Sequence, residues 1–479
     1  MLWMCLYLPH LPIEIHTRGG DIDGPMAVSV KEAGRDYVGF CNEAAGQLGV
    51  VVGQRLATAQ ALCGQLRVKP RDFDAECVAL ENLAAWLSQF SSFISFEGSQ
   101  TVFIEVGGSL QLFGGAQALS KRVQEGLNAL GYVCAWVVAP FPRAAALLAR
   151  AGRSCWLQDS RAVKLAVGET PIDCLELPAE TRQGLQSLGL RCVAECFALP
   201  ISGLAKRFGK ELVIYLDRLQ GHAAEPLKPY SPPLRFSSCI DLPAATEQTE
   251  ALLFVAKRLV IELVGYLRGR GAGAQRLLWI LSHEKNTSTR FQIGLVAPSR
   301  EESHFVELLR TRLDRVQLSQ PVYALGLLVE DMVPLAASDQ PLWGKTQPQE
   351  AWALLVERLA SRMGEDALHG LVGADDHRPE RAWRTAKLGE ARPKTAQKND
   401  DRPIWLLDSP QALSVSNNWP HKNGKLEILS GPERIETGWW DEDVVDRDYY
   451  VARNESGERF WIYRERKHEQ KWFVHGVFA

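Results

Sequence analysis

The sequence predicts an α+β chain of several domains, and three observations support this prediction. With 479 residues, of which 46% are hydrophobic, the chain is too long for one ordinary core and favours three or four domains. Strand-like alternation at residues 101–106 and helix-like apolar spacing at residues 250–268 show that both element types occur. Residues 431–479 alternate aromatic and charged side chains around turns, which is typical of a small antiparallel sheet.

Charge and cysteine content limit the kind of protein. The net charge of -3 argues against a chain that is basic throughout, so any nucleic-acid surface must be local and its affinity salt-sensitive. Among ten cysteines only Cys192 and Cys196 are closely spaced, and no second Cys or His pair completes a zinc site. We therefore expect free thiols and a cytoplasmic protein. No run approaches the ~20 apolar residues of a membrane span, so we expect no membrane partner.

Residues 93–115 combine a strand with a glycine turn. Positions alternate between two faces from Thr101 to Val106, and Gly107-Gly108 follows. The segment resembles the second palm strand of Y-family (translesion) DNA polymerases, where an Asp-Glu pair and a Phe-Leu-Asp-Val run precede a Leu-Phe-Gly-Gly turn. Residues 103–106 and 112–115 match these motifs. The family's Asp-Glu pair falls on Gln100 and Thr101.

The first strand lacks the family's acids as well. Residues 2–8 read as a buried strand, and the family's Asp-x-Asp motif falls around Cys5 to Tyr7, with the first acid only at Glu14. In the family, inward carboxylates hold two Mg²⁺ ions that clamp the attacking and leaving oxygens. The resemblance therefore implies a pseudo-polymerase with no catalytic residues, no metal and no cofactor.

The positive groups that hold the incoming nucleotide are also replaced. Residues 42–63 resemble the small fingers region, and the family arginine that grips the triphosphate falls on Gly46. Residues 139–150 resemble the palm helix, and its triphosphate-contacting lysine falls on Ala146. Phosphoryl transfer depends on such cations.

Two other functions stay open at this point. One is an active low-fidelity translesion polymerase with a rearranged metal site built from Glu14, Glu97 and Glu105. The other is a structural interaction protein that does not bind DNA.

Residues 171–227 predict two short helices joined at Gly189 and a further helix near residues 212–219. This spacing resembles the helix-hairpin-helix of the polymerase thumb. A hairpin glycine lets backbone N–H groups approach a phosphate, and Lys206 and Arg207 add positive charge. The alternative is a plain helical packing unit.

Residues 232–332 predict the order strand, long helix, strand, strand, helix, strand. The order resembles the family's little-finger domain, which lies against DNA. Acidic residues are interspersed, so an ordinary solvated face is the alternative for any one position. The candidate phosphate contacts are Arg268, Arg270, Arg276, Lys285 and Arg290.

A polar segment with an apolar-aromatic pair follows the little finger. Its place resembles the peptide that tethers Y-family polymerases to the beta sliding clamp, although Gln340 lies two residues before Leu342, where the usual spacing is three. Local packing of Leu342 and Trp343 is the alternative. The candidate clamp-binding residues are Asp339, Gln340, Pro341, Leu342, Trp343 and Gly344.

A helix at residues 351–363 and a polar linker at residues 375–402 precede the aromatic tail. Trp439, Trp440 and the face carrying Arg464 and Arg466 could bind protein or single-stranded DNA, or the aromatics could form a core. The expected domains are palm and fingers at 1–165, thumb at 166–230, little finger at 231–333, clamp-binding peptide at 334–345, helix and linker at 346–402 and a C-terminal β-rich interaction domain at 403–479.

Active Y-family polymerases do not end in such a tail. The combination is similar to the ImuB-type, catalytically inactive polymerase-like subunits of bacterial damage-induced mutagenesis complexes. The resemblance implies an adaptor in SOS-induced translesion synthesis that binds DNA without reading its sequence. It also implies three protein partners: the beta sliding clamp, an error-prone C-family DNA polymerase and a RecA-like accessory protein of the ImuA type.

Overall fold

The structure is a computed structural model whose contacts divide the chain into two compact units, Met1–Arg362 and Met363–Ala479. None of the helices among its described residues is long and apolar enough to cross a membrane. The described residues are 1–20, 24–284, 287–316, 318, 320–335, 355–357, 359, 362–363, 367–386, 402–403, 405–440, 444–466 and 470–478.

The first part of unit 1 contains a palm-like sheet and a small fingers-like sheet. The palm sheet has the strand order β5-β6-β1-β7-β8, and the fingers sheet has the order β3-β2-β4. The strands are β1 (Trp3–Tyr7), β2 (Met26–Glu32), β3 (Arg35–Cys41), β4 (Arg67–Pro70), β5 (Ile94–Glu97), β6 (Thr101–Glu105), β7 (Ala135–Ala139) and β8 (Cys155–Trp156). The helices are α1 (Leu11–Thr17), α2 (Glu43–Gln47), α3 (Leu56–Leu62), α4 (Phe73–Leu87), α5 (Ala116–Leu130) and α6 (Pro142–Arg150).

The palm sheet is buried on both faces, and the alternation predicted for β6 explains why. Val102 and Ile104 pack into a core with residues of α4 and α5, whereas Phe103 packs on the other face with α6. Successive side chains of a strand point to opposite faces, so one strand contributes to both cores. At the start of α4, the Asp72 carboxylate accepts a hydrogen bond from the Ala75 N–H at 2.9 Å, which caps the helix.

The thumb-like region is helical, and the predicted pair of short helices around Gly189 is present. Gly189 has a φ of +82° and Gly209 a φ of +90°, so each supplies a left-handed turn between two helices. The helices are α7 (Ser160–Gly168), α8 (Ala179–Ser187), α9 (Val193–Phe197), α10 (Ile201–Phe208) and α11 (Lys210–Gln220).

The little-finger-like region has the predicted element order. Its antiparallel sheet runs β11-β10-β12-β9, and α12 and α13 share one hydrophobic core with the inner face of that sheet. β13 (Met332–Pro334) pairs with β10. The elements are β9 (Phe236–Thr246), α12 (Thr249–Arg270), β10 (Ala272–His283), β11 (Ser288–Ser299), α13 (Glu302–Leu313) and β12 (Val322–Val329).

Unit 2 is built on the predicted small antiparallel sheet, with five strands in the order β16-β22-β21-β20-β19. The strands are β14 (Gly370–Gly373), β15 (Trp383–Ala386), β16 (Trp405–Ala412), β17 (Ser414–Ser416), β18 (Trp419–His421), β19 (Glu427–Thr437), β20 (Val445–Arg453), β21 (Arg459–Glu465) and β22 (Trp472–Val477).

Part of the predicted linker is folded. β14 and β15 pair as a hairpin, and between them the buried Arg378 guanidinium is bound by the Asp376 carboxylate at 2.7 Å. The hairpin was not predicted because the stretch is polar and was interpreted as a linker. Its buried arginine is compatible with a folded hairpin because it is paired with Asp376. Most of the helix expected at residues 351–363 lies outside the described residues.

Candidate active-site face and nucleic-acid interface

The palm positions that carry acids in Y-family polymerases lie on neighbouring strands here. Tyr7 on β1 pairs with Thr101 on β6, and Thr101 pairs with Glu97 on β5. Cys5 lies two residues back on β1 and is fully buried beside Phe103. Burial, and then the charge of Glu97, raise the pKa of the Cys5 thiol far above its usual range. Cys5 is therefore a neutral core side chain.

Gln100 and Thr101 have structural roles. The Gln100 side-chain amide donates hydrogen bonds to the carbonyl oxygens of Leu8 and Pro9, each at 3.1 Å, and so fixes the chain where β1 ends. Thr101 is buried, with only 2% of its surface exposed. A carboxylate has no N–H to donate, so an ionised acid in place of Gln100 could not make these contacts.

An arginine from α6 occupies the centre of the charged cluster on this face. Arg143 Nη1 lies 2.5 Å from Glu97 Oε1, while Nε and Nη2 donate to the two carboxylate oxygens of Glu225 at 3.0 and 2.8 Å. Burial would lower the pKa of Arg143, but the hydrogen bonds to Glu225 and the charge of Glu97 raise it above its usual range. Arg143 is a permanent cation that joins the palm to the end of the thumb.

A second arginine lies two helical turns further along the same face of α6. Arg150 binds Glu176 at 2.9 Å, and its guanidinium lies 5.6 Å from the Tyr7 ring centroid. From the thumb, Arg218 reaches Glu225 at 3.3 Å. Burial raises the pKa of Glu97, and Arg143 opposes that shift. Each of these carboxylates therefore has an arginine as its counter-charge.

The positions of the family's triphosphate contacts lie in different surroundings. Ala146 is buried in the core around α6, and Gly46 is exposed on α2 with no atom within 4 Å of where a Cβ would lie. Neither alanine nor glycine has a positively charged side chain that could bind a triphosphate.

The three acids of a rearranged metal site do not converge. Glu105 Oε1 accepts hydrogen bonds from the N–H groups of Leu2 and Gly107, and Glu14 Oε1 accepts one from Val133 at 2.8 Å. Glu97 pairs with Thr101, which begins β6, whereas Glu105 ends the same strand. At ~3.3 Å for each residue, the two ends of β6 are roughly 13 Å apart. Within the described part of the chain, no three His, Cys, Asp or Glu residues are arranged to hold a metal ion.

The thumb candidates lie at two separate helix connections, α8–α9 and α10–α11, with the α9–α10 connection between them. Gly189 is exposed in the turn between α8 and α9, while Lys206 and Arg207 are exposed in the last turn of α10, just before Gly209. The glycine's open backbone and the two side chains could each contact a phosphate. From the sequence alone, Gly189 was not assigned to a different helix connection from Lys206 and Arg207.

The little-finger candidates lie in two places. Arg276 and Arg290 share the outer face of the sheet, since Arg290 pairs with Ile280, four residues along β10 from Arg276. Arg268 and Arg270 lie at the end of α12, where the Arg270 guanidinium donates to the carbonyls of Pro232 and Pro233. Lys285 lies outside the described residues, as do all six candidate clamp-binding residues, Asp339 to Gly344.

The C-terminal aromatics form both a core and an exposed pair. Tyr449, Trp461 and Tyr463 are buried on one face of the five-stranded sheet. Trp439 and Trp440 instead follow the end of β19 with 80% and 59% of their surfaces exposed, and their rings meet edge to face at 5.3 Å. The core interpretation therefore holds for Tyr449, Trp461 and Tyr463, and binding of protein or single-stranded DNA stays a prediction for Trp439 and Trp440.

Several residues of these sites were missed by reasoning from sequence. Arg143, Arg150, Glu176 and Glu225 were not singled out, although Arg143 is a lone charge at the start of an alanine-rich apolar helix. That isolation is the one local signal that could have pointed to it, since buried charges are almost always paired.

Comparisons with known proteins agree with this architecture. Residues 22–150 match the impB/mucB/samB family. The chain is 28% identical to Protein ImuB of Caulobacter vibrioides strain NA1000 / CB15N over 90% of this chain and 100% of that protein. It is 26% identical to DNA polymerase IV of Dehalococcoides mccartyi strain CBDB1 over 39% of this chain and 49% of that one.

Two solved structures are similar to this chain at low sequence identity. A Y-family DNA polymerase chimera of Dbh and Dpo4 is 17% identical, with a TM-score of 0.41, over 70% of this chain and 99% of its own. DinB from Sulfolobus solfataricus is 18% identical, with a TM-score of 0.40, over 70% of this chain and 100% of its own. The resemblance to ImuB-type subunits predicted from the sequence is confirmed by the match along nine-tenths of the chain, and so is the Y-family-like α+β fold class.

Proposed function

We propose that this chain, which resembles ImuB along nine-tenths of its length, is a non-catalytic Y-family polymerase-like adaptor in SOS-induced translesion synthesis and mutagenesis. The observation that carries the proposal is the use of the former acid positions. Cys5 and Thr101 are buried, and Gln100 holds the end of β1 through its amide. A two-metal polymerase needs anionic oxygen at those places.

The charged cluster supports the same function. Glu97 pairs in register with Thr101, one of the former acid positions, and its carboxylate is bound by Arg143. A metal ion at Glu97 would place a second positive charge beside Arg143, which is held there by its two hydrogen bonds to Glu225. The alternative of a polymerase rebuilt on Glu14, Glu97 and Glu105 is disfavoured, because each carboxylate is held at a separate place.

The adaptor is proposed to bind DNA through its thumb and little finger. Gly189, Lys206 and Arg207 contact one stretch of the DNA backbone. Arg276 and Arg290 contact another, and Arg268 and Lys285 are further candidates. These contacts go to phosphates and carry no sequence information. Arg270 is less available for DNA because its guanidinium is bound to the linker carbonyls.

The adaptor is proposed to bring three proteins together. Residues Asp339 to Gly344 would tether it to the beta sliding clamp, and other surfaces would recruit an error-prone C-family DNA polymerase and a RecA-like accessory protein. All ten cysteines are free thiols, which is compatible with a protein of the reducing cytoplasm.

Reconstituted lesion bypass tests this function. A C-family polymerase, the sliding clamp and the accessory protein are incubated with a primed, damaged template, with and without this chain. We expect bypass to require the chain and to persist when Glu97 is changed to Gln. Bypass that is equal without the chain would contradict the adaptor role.

A further inference from the structure

The little finger is packed against the back of the palm through glycines. The Trp86 indole of α4 lies between Gly126 of α5 and Gly265 of α12, and a Cβ at either glycine would come within 2.2 Å of the ring. A Cβ at Gly269 would lie 2.0 Å from the Ser88 hydroxyl. Only glycine permits this approach, so the helices of the two domains are in direct contact over more than one turn.

The two hydrophobic cores share residues across this boundary. Ala85 of the palm helix α4 belongs to the core of the little finger, and Ile261 of the little-finger helix α12 packs against the core of the palm. A little finger that swung away would expose both, together with Trp86. Apolar surface of this kind is costly to expose to water.

A buried ion pair crosses the same boundary. Arg18 of the palm has 5% of its surface exposed and Glu262 of the little finger 1%, and the Arg18 Nη2 is bound to the Glu262 Oε1. The other nitrogens of Arg18 donate to the Leu130 carbonyl at 2.8 Å and the Tyr132 hydroxyl at 2.5 Å. The pair is therefore hydrogen-bonded on the palm side as well as across the boundary.

The network continues through the second oxygen of Glu262. The Ser238 hydroxyl of β9 donates to Glu262 Oε2 at 2.5 Å, and the Asn82 amide of α4 donates to the Ser238 oxygen at 3.2 Å. Palm and little finger are thus joined twice by one network. A buried charge that loses its partner is strongly destabilising, so this arrangement favours one relative position of the domains.

The connection between thumb and little finger is also held from both sides. The Tyr230 N–H donates to the Ile94 carbonyl of β5 at 2.7 Å, and its hydroxyl donates to the Glu81 carbonyl at 3.2 Å. From the little finger, the Tyr266 hydroxyl donates to the Pro233 carbonyl at 2.6 Å. A segment bound at both ends does not act as a free tether.

We propose that the palm and the little finger of this chain form one rigid, cooperative body. The buried Arg18–Glu262 pair, called the lock below, holds the two domains in one relative position. The outer face of the little-finger sheet is then fixed relative to the palm before any ligand arrives. This inference does not depend on the proposed function, because the lock is built entirely from contacts within the chain.

Hydrogen exchange of the full chain, followed by mass spectrometry, tests the lock. We expect peptides from α4 and α12 to exchange slowly and at matching rates, and Glu262→Gln to speed both by at least tenfold while exchange in α11 of the thumb is unchanged. Glu250→Gln is the matched control, since Glu250 lies on α12 in an exposed pair with Arg310, and it should leave both peptides unchanged. Exchange of α12 that is fast in the wild type while α4 stays protected would overturn the proposal.

A milder variant covers the case in which Glu262→Gln fails to fold. Asn82→Ala removes only the outer hydrogen bond to Ser238 and should speed α4 and α12 together by a smaller factor. Acceleration of α4 alone in this variant would show that the two domains open independently, which contradicts one cooperative body.

Discussion

Replacing Arg143 by Met tests whether the cation on the palm face holds the thumb in place. The side chain is largely buried and binds Glu97 and Glu225, so its removal leaves two carboxylates without their main counter-charge. Breaking a buried pair by removing one partner costs about 3–5 kcal/mol. Arg218 still reaches Glu225 at 3.3 Å, so we expect the lower part of that range.

The pH dependence of this loss has a definite sign. Burial already raises the pKa of Glu97, and Arg143 lowers it. Without the arginine, the folded-state pKa of Glu97 rises further above the unfolded value, so the folded state takes up protons more readily as pH falls. The destabilisation of Arg143→Met should therefore shrink from pH 8 towards pH 5.

Urea unfolding followed by circular dichroism at several pH values measures both quantities. Arg153→Met is the matched control, because Arg153 forms an exposed pair with Glu169 at 3.5 Å and such pairs contribute at most ~1 kcal/mol. If Arg143→Met costs no more than this control, or if its cost grows as pH falls, the reasoning is refuted.

Three further predictions concern other parts of the chain. Burial raises the pKa of Glu14 to about 7, so its protonation stabilises the fold by at most about 3 kcal/mol at low pH and this contribution is lost as pH rises; Glu14→Gln should be more stable than wild type at pH 8 but not at pH 5 in thermal unfolding. Leu342→Ala with Trp343→Ala should abolish sliding-clamp binding in surface plasmon resonance and leave DNA binding intact; unchanged clamp affinity would rule out this peptide. Arg276→Ala with Arg290→Ala should reduce the slope of log K against log salt by about 1–2 in fluorescence anisotropy, whereas an unchanged slope would remove these residues from the interface.

Local patterns predicted the elements of the fold well. The alternation around Val102 and Ile104 identifies β6, and the apolar spacing from Leu253 to Leu267 identifies α12, because a strand or helix must place its apolar side chains on particular faces. The tail aromatics predicted a sheet, but could not tell core from surface, since hairpin tips and cores both use Trp.

The pairing of buried charges could not be predicted from the sequence. Arg18 and Glu262 are 244 positions apart, and Arg143 and Glu225 are 82 apart, so no periodicity relates them. Their partners are set by how the palm, thumb and little finger pack. The hairpin around Arg378 was missed for a related reason, because its buried arginine is paired with Asp376 inside a stretch that is polar throughout.

The proposed adaptor differs from an active polymerase in that its palm face does not support nucleotidyl transfer. The most direct measurement is single-nucleotide incorporation on a primed template by the purified chain alone, with Mg²⁺ or Mn²⁺ and all four dNTPs. We expect no product above the no-protein background with either metal. Incorporation that disappears on Glu97→Gln, Glu14→Gln or Glu105→Gln would contradict this expectation.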